Sequence, residues 1–485
     1  MKTVSNKTLS HGLNPEEARI SDGHKNPYSS FRVLSVADFD LIPVIVMAGW
    51  ISAVIAGTAP FASAADDTSP TPAAAVVTGR ANSHMVPFDE LLTTFVAEHK
   101  VPGAAVAISK NGRLVYARGF GYADVESKTA VEPASRFRIA SISKPITAVA
   151  ILQLVEQGKL GLEERVFDLL KDDANQPPSG TPDSRLPQIT IRQLLQHSGG
   201  WDRDVSFDPM FRPIEIAREL ATDPPAGQAQ VIRYMRGKPL DFQPGERYAY
   251  SNFGYCLLGR LIEKASGEPY DTYVKEHVLK PLGIVQMQLG RTLPEFRAEG
   301  EVKYYAPGDK RGPAVVGQNL GQDVPLPYGT WNLEAMDSHG GWIASAVDLV
   351  RFASAFDDPN RCPILKSESV AEMFARPAGG PGYDAEQKPK SVYYGLGWFV
   401  RTKAKTEEEK EISTLGDKFS QWHTGSLDGT STILVRRHDG LCWAVLFNTR
   451  HRNPEKAPAR LIDSLMHKAA NAIQEWPAGD EFGAR

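Results

Sequence analysis

The chain has 485 residues, 42% of them hydrophobic and 23% charged, which supports a large folded body and excludes a collagen-like or low-complexity protein. Lys and Arg number 54 against 58 Asp and Glu, a net charge of -4 spread along the chain, so no basic surface points to a nucleic acid. The three cysteines (Cys256, Cys362, Cys442) form no Cys-x-x-Cys pair and no His-Glu-x-x-His helix occurs, so one disulfide is possible but no metal or cofactor is expected.

In chain order, residues 1–64 read as an export signal with an atypical leader. Leu41 to Ala64 carries no charge and ends in Ala62-Ser63-Ala64, the small-x-small pattern that a signal peptidase cuts. The run is long enough to span a bilayer, so membrane attachment through an uncleaved segment is the alternative. Pro43 and Pro60 interrupt it and favour cleavage. The residues before it mix Lys2, Lys7 and Arg19 with Glu16, Glu17 and Asp22, unlike an ordinary short basic leader. The expected location is periplasmic or secreted. Residues 65–85, rich in Ala, Thr and Pro, read as a disordered spacer.

The folded body is expected over 86–476, with 477–485 as a tail. Gly103–Lys110 and Arg113–Gly119 are β-prone runs joined by Asn111-Gly112, a strong hairpin signal. Ile146–Gln157 is apolar on nearly all sides and ends at Gly158, which predicts a helix buried on most faces. Further helical stretches fall at Ile191–Gln196, Gly254–Ala265 and Tyr270–Val278. The charged run Lys403 to Glu411 reads as a solvated hairpin tip. Ser431–Arg437 and Leu441–Asn448 flank Asp439-Gly440 as a second hairpin, and a helix is predicted over Pro458–Trp476. The expectation is an α/β (α+β) fold: an antiparallel sheet built from both chain ends and flanked by helices, with a mostly helical lobe inserted between them.

Three short motifs carry chemistry. In Ser141-Ile142-Ser143-Lys144, positions i and i+3 of a helix share a face, so the Lys144 amine reaches the Ser141 hydroxyl and, if buried and uncharged, takes its proton. Pro145 confines this segment to the first turn of the helix, where free N–H groups and the dipole can hold an oxyanion. An accidental tetrapeptide is the competing reading. In Tyr250-Ser251-Asn252, the phenol is a proton shuttle if nearby cations lower its pKa, and the amide suits a substrate backbone; the bland alternative is a helix cap. In His423-Thr424-Gly425-Ser426, His423 offers a positive or hydrogen-bonding group, Gly425 lets a substrate approach closely, and the N–H of Ser426 completes an oxyanion hole; the alternative is an ordinary strand start. Each motif occurs once, in an order that can converge on one cleft, and no Gly-x-Ser-x-Gly elbow competes.

With these residues in view, the chain resembles the serine β-lactamase and penicillin-binding-protein family, in its class C, DD-peptidase and esterase branch, from about Val86 to Trp476. Leu194-Leu195-Gln196-His197, Gly340-Gly341-Trp342 with Asp348-Leu349, and Tyr394-Gly395-Leu396-Gly397-Trp398 are similar to family segments that concern packing. The resemblance implies Ser141 as acylated nucleophile, Lys144 as its activating partner and Tyr250 as general base and acid. It makes Asn252, His423, Thr424, Gly425 and Ser426 substrate contacts, with the N–H groups of Ser141 and Ser426 as the oxyanion hole. Class C enzymes generally carry Lys-Thr-Gly where this chain has His-Thr-Gly, which weakens the case for an efficient β-lactamase. No dedicated deacylation glutamate is identifiable, and the same groups acting in reverse are expected to activate water. The resemblance implies a serine hydrolase that forms an acyl-enzyme with cell-wall-type D-amino-acid peptides (DD-carboxypeptidase-like) or carboxylic esters, with weak β-lactam hydrolysis left open. The alternative is a non-catalytic peptide- or β-lactam-binding protein of the cell envelope.

Overall fold

A computed structural model describes residues 76–171, 180–402 and 419–483. The segment read as an export signal and the run Lys403 to Glu411 lie outside the described residues. The two predicted hairpins form and pair with each other. Gly103–Lys110 sits between Arg113–Asp124 and Leu441–Phe447, and Thr430–Arg436, Phe419–Leu427, Phe399–Thr402 and Val392–Tyr394 follow outward in an antiparallel sheet of nine strands. The chain ends meet at the centre because Val106 opposes Val445 and Ile108 opposes Trp443.

The sheet is covered on both faces, as the period-2 pattern of a fully buried strand requires. Ala104, Val106 and Ile108 point towards Phe88 and Leu92 of helix Val86–Glu98 and Ile462 and Met466 of helix Pro458–Ala472. Ala105 and Ala107 point the other way, into the larger core shared with helix Ala346–Ser354 and the inserted lobe. Each large apolar side chain so buried contributes about 1.5–3 kcal/mol. At the lobe's centre is helix Ser143–Glu156, every residue of which from Ser143 to Leu154 is buried. Its lack of a polar face follows from being wrapped by helix Asn252–Ser266, the segment Asp337–Gly340 and the helical turns after Tyr270.

Several boundaries differ from the sequence expectation. The spacer does not extend to residue 85: Val77–Thr78 pairs with Gly119 and Phe120, since two β-branched residues suffice to cap the open edge of the sheet. The tail after 476 folds back, with Asp480 accepting a hydrogen bond from the Leu114 N–H at 3.0 Å and Phe482 lying under the Arg351 guanidinium. The last helix stops at Ala472, and the extended chain beyond it brings Trp476 against Phe88. The strand from Arg113 continues to Asp124, and Tyr270–Tyr273 passes into a π-helical turn over Val274–Leu279. All three cysteines are free thiols. Among the described residues no helix is long and apolar enough to cross a membrane.

Candidate active site

The strand Phe137–Arg138 delivers the chain into a sharp turn. Ala140 takes a left-handed backbone (φ +46°), an uncommon conformation for a residue with a Cβ, and a 3-10 turn over Ala140–Ile142 runs straight into the helix at Ser143. Ser141 is held at this elbow from below. The hydroxyls of Thr430 and Thr432 donate to the carbonyls of Arg138 (2.8 Å) and Ile139 (3.1 Å). A Cβ on Gly425 would meet the Ile139 carbonyl oxygen at 2.0 Å. A close approach at Gly425 is therefore made by the chain's own turn at Ile139 and Ala140, just before Ser141.

Lys144 projects back from the first turn of the helix. Its Nζ lies 3.1 Å from Ser141 Oγ, 2.8 Å from Asn252 Oδ1 and 2.8 Å from the carbonyl oxygen of His339. Burial, and secondarily the Arg203 guanidinium, hold its pKa well below the usual lysine value. A neutral amine has two N–H donors and one lone pair. The two acceptors at 2.8 Å take the donors, and the lone pair is left for the Ser141 hydroxyl proton. Asn252, at the start of helix Asn252–Ser266, thus serves the lysine: its Oδ1 accepts from Lys144 and its Nδ2 donates to Asp208 Oδ2 at 2.6 Å.

Tyr250 completes the group. Its phenol hydrogen-bonds Ser141, its ring packs 4.2 Å from that of His197, and the Arg203 guanidinium stacks 4.5 Å from it. The sequence reading makes the shuttle role conditional on nearby cations lowering this phenol's pKa; here burial outweighs Arg203 and raises it, so Tyr250 remains a protonated phenol. Of the two readings of His423, positive or hydrogen-bonding, the ring takes the second. Burial, with Lys144 nearby, pushes its pKa down to about 3, so the ring is neutral and supplies no positive charge. Its Nδ1 lies 2.8 Å from the Thr424 carbonyl and its Nε2 3.0 Å from the Tyr394 hydroxyl, partners that place the ring proton on Nδ1 and make Nε2 the acceptor.

Beyond Trp422 the strand Phe399–Thr402 no longer pairs, so His423 to Leu427 is bonded on one side only and its other edge faces the turn that carries Ser141. Between them lies a cleft of about 790 Å³ including its open mouth. Ser141, Tyr250, Asn252, His423, Thr424 and Ser426 line it, so the three sequence motifs do converge; Lys144 lies beneath, behind Ser141. Four further polar residues line the same cleft and were missed in the sequence: Arg203, Asp208, His339 and Arg450. Arg203 and Asp208 sit in an irregular loop with no motif of their own. His339 immediately precedes Gly340-Gly341, a segment taken as packing alone, so a signal was present there. Among the described residues no group of His, Cys, Asp or Glu is placed to hold a metal ion.

A family profile for beta-lactamases matches residues 88–466. Protein flp of Staphylococcus aureus (strain MW2) is 30% identical over 398 residues, covering 80% of this chain and 67% of that protein. Among solved structures, the octameric penicillin-binding protein homologue from Pyrococcus abyssi superposes with a TM-score of 0.56 at 25% identity, covering 78% of this chain and 76% of that one. The D-amino acid amidase from Ochrobactrum anthropi SV3 gives 0.60 at 21% identity, over 81% of this chain and 99% of that one. With the profile spanning both lobes and every element that builds the cleft, the chain belongs to the beta-lactamase family, a family of serine hydrolases.

Proposed function

We propose that this protein is a serine hydrolase working through an acyl-enzyme on Ser141, with D-amino-acid peptides, amides or small carboxylic esters as substrates. The observation that carries the reading is the placement of the buried Lys144 amine, whose two N–H groups are occupied by Asn252 and His339 while its lone pair faces Ser141. Ser141 Oγ attacks the substrate carbonyl as Lys144 takes its proton. Tyr250, held as a phenol between Lys144 and the cleft, passes a proton to the leaving group and is re-protonated from Lys144. The N–H groups of Ser141 and Ser426 hold the oxyanion from opposite walls. Water then hydrolyses the ester and frees Ser141.

The neutral His423 argues against Lys-Thr-Gly-type recognition of a β-lactam carboxylate; Arg203 and the Asp428-paired Arg450 also line the cleft. The amide-hydrolysing neighbour from Ochrobactrum supports an amide substrate class by analogy of fold. Export to the periplasm or beyond, with membrane attachment if the apolar segment stays uncleaved, is part of the proposal. The test is incubation with a labelled penicillin and with a short-chain nitrophenyl ester, followed by peptide mass mapping, and turnover of a D-Ala-D-Ala peptide. An adduct on Ser141 that Ser141→Ala abolishes is the expected result. Ligand binding without acylation or turnover would establish the non-catalytic alternative instead.

A further inference from the structure

His197 is a buried imidazole to which the chemistry above gives no part. It lies just after helix Ile191–Leu195, 1% exposed, with a left-handed backbone (φ +55°) that histidine adopts more readily than most residues with a Cβ. From there two of its atoms reach the segment that carries Tyr250. The His197 carbonyl oxygen accepts from the Ala249 N–H at 2.8 Å, and Nδ1 accepts from the Ser251 N–H at 3.1 Å. One residue thus bonds the backbone on both sides of Tyr250. An amide N–H only donates, so Nδ1 holds the lone pair and the ring proton sits on Nε2. Burial, with Lys144, His423 and Arg203 nearby, keeps the ring in that neutral form.

Tyr250 needs such support. Lys144 belongs to a helix, with Ser141 in the turn that leads into it, whereas Tyr250 lies in irregular chain before helix Asn252–Ser266 and has no ladder of its own to fix it. Its hydroxyl must nonetheless stay on Ser141, with Lys144 Nζ 4.8 Å from its ring. The His197 ring adds a side wall, its centre 4.2 Å from that of Tyr250 and 4.5 Å from that of Tyr394, whose hydroxyl donates to His423. Resting on the acyl-enzyme reading above, we infer that His197 is a positioning residue for proton transfer, holding the Tyr250 hydroxyl on Ser141 by bonding the backbone on either side of it. Its role goes beyond the packing assigned to its sequence segment.

The experiment is turnover of a short-chain nitrophenyl ester by His197→Phe and His197→Asn, each alone and combined with Tyr250→Phe, with intact-mass measurement of the adduct and denaturant melts to confirm folding. Phenylalanine keeps a ring but offers the Ser251 N–H no acceptor. Asparagine keeps a short acceptor and suits the left-handed backbone, but gives up the ring. His197→Phe is expected to lose about 10²-fold in turnover, the cost of displacing a reacting group by roughly 1 Å, and His197→Asn about 10-fold. In the Tyr250→Phe background both substitutions should change turnover by less than about 3-fold, because the hydroxyl through which they act is already gone. His197→Asn carries this coupling test if the phenylalanine variant does not fold. Losses of equal size with and without the Tyr250 hydroxyl, or wild-type turnover in both single variants, overturn the inference while leaving the hydrolase reading intact. A wild-type protein that forms no adduct on Ser141 refutes both.

Discussion

Replacing Lys144 by methionine tests whether the amine is neutral in the folded protein. Methionine keeps the length and apolar stem but removes the nitrogen. The change leaves Asn252 Oδ1 and the His339 carbonyl without their N–H donors, at about 1–3 kcal/mol for each buried acceptor. Against this, the native lysine must shed a proton to fold, at about 1.4 kcal/mol for every pH unit below an unfolded-state value of about 10.4. The two effects nearly cancel at neutral pH, so the net stability change is expected to be within about 3 kcal/mol there. The pH dependence does not cancel. Where the native amine is neutral and the unfolded one charged, the unfolded chain binds one more proton, and wild-type stability rises with pH. Methionine lacks that proton. The wild-type minus variant difference should therefore grow by about 1.4 kcal/mol per pH unit between about pH 7 and about pH 9. Denaturant melts of both proteins at matched pH measure it, and taking the difference removes the titration of other groups. Acylation of the variant should fall by about 10²–10⁴-fold. A flat difference would mean a protonated lysine in the fold, and the proton-acceptor role would be refuted.

Four more outcomes follow from the geometry. Tyr250→Phe keeps the ring against His197 and Arg203, so its melting temperature should stay close to wild type while turnover falls by about 10²-fold or more, measured on the nitrophenyl ester. Gly425→Ala forces a Cβ to 2.0 Å from the Ile139 carbonyl, and it should lose about 2 kcal/mol or more in denaturant melts together with acylation rate; wild-type behaviour would remove the clamp on the nucleophile turn from the account. His423→Lys buries an ammonium beside Tyr394 and near Lys144, so it should destabilise the protein without raising β-lactam turnover. The same residue adds an acid limb to wild-type stability. With its folded pKa held down to about 3, the unfolded chain binds the extra proton as pH falls below about 6.5, so stability declines on acidification, and His423→Ala should flatten that decline.

Much of the architecture was legible because its signals are local. Asn111-Gly112 and Asp439-Gly440 sit between apolar, β-prone runs, and that turn chemistry between runs buried along nearly their whole length is enough to specify the two hairpins. The continuous apolar character of the segment after Ser143 likewise announced a helix with no solvent face. The spacing of Ser141 and Lys144 anticipated that the hydroxyl and the amine meet, since residues three apart in helical turns share a face.

What the linear chain does not encode is the protonation of each group, because that depends on neighbours from distant segments. Burial keeps Tyr250 a phenol and His423 uncharged, which settles alternatives that residue type alone left open. Asn252 turns out to hold Lys144 and Asp208, and Gly425 to make room for Ile139. Arg203, Asp208, His339 and Arg450 reach the cleft only because the lobes fold around one another, bringing together residues far apart in sequence. Local periodicity sets the elements and the meeting of Ser141 with Lys144, whereas desolvation and long-range contact set the charge of the site and the identity of its remaining walls.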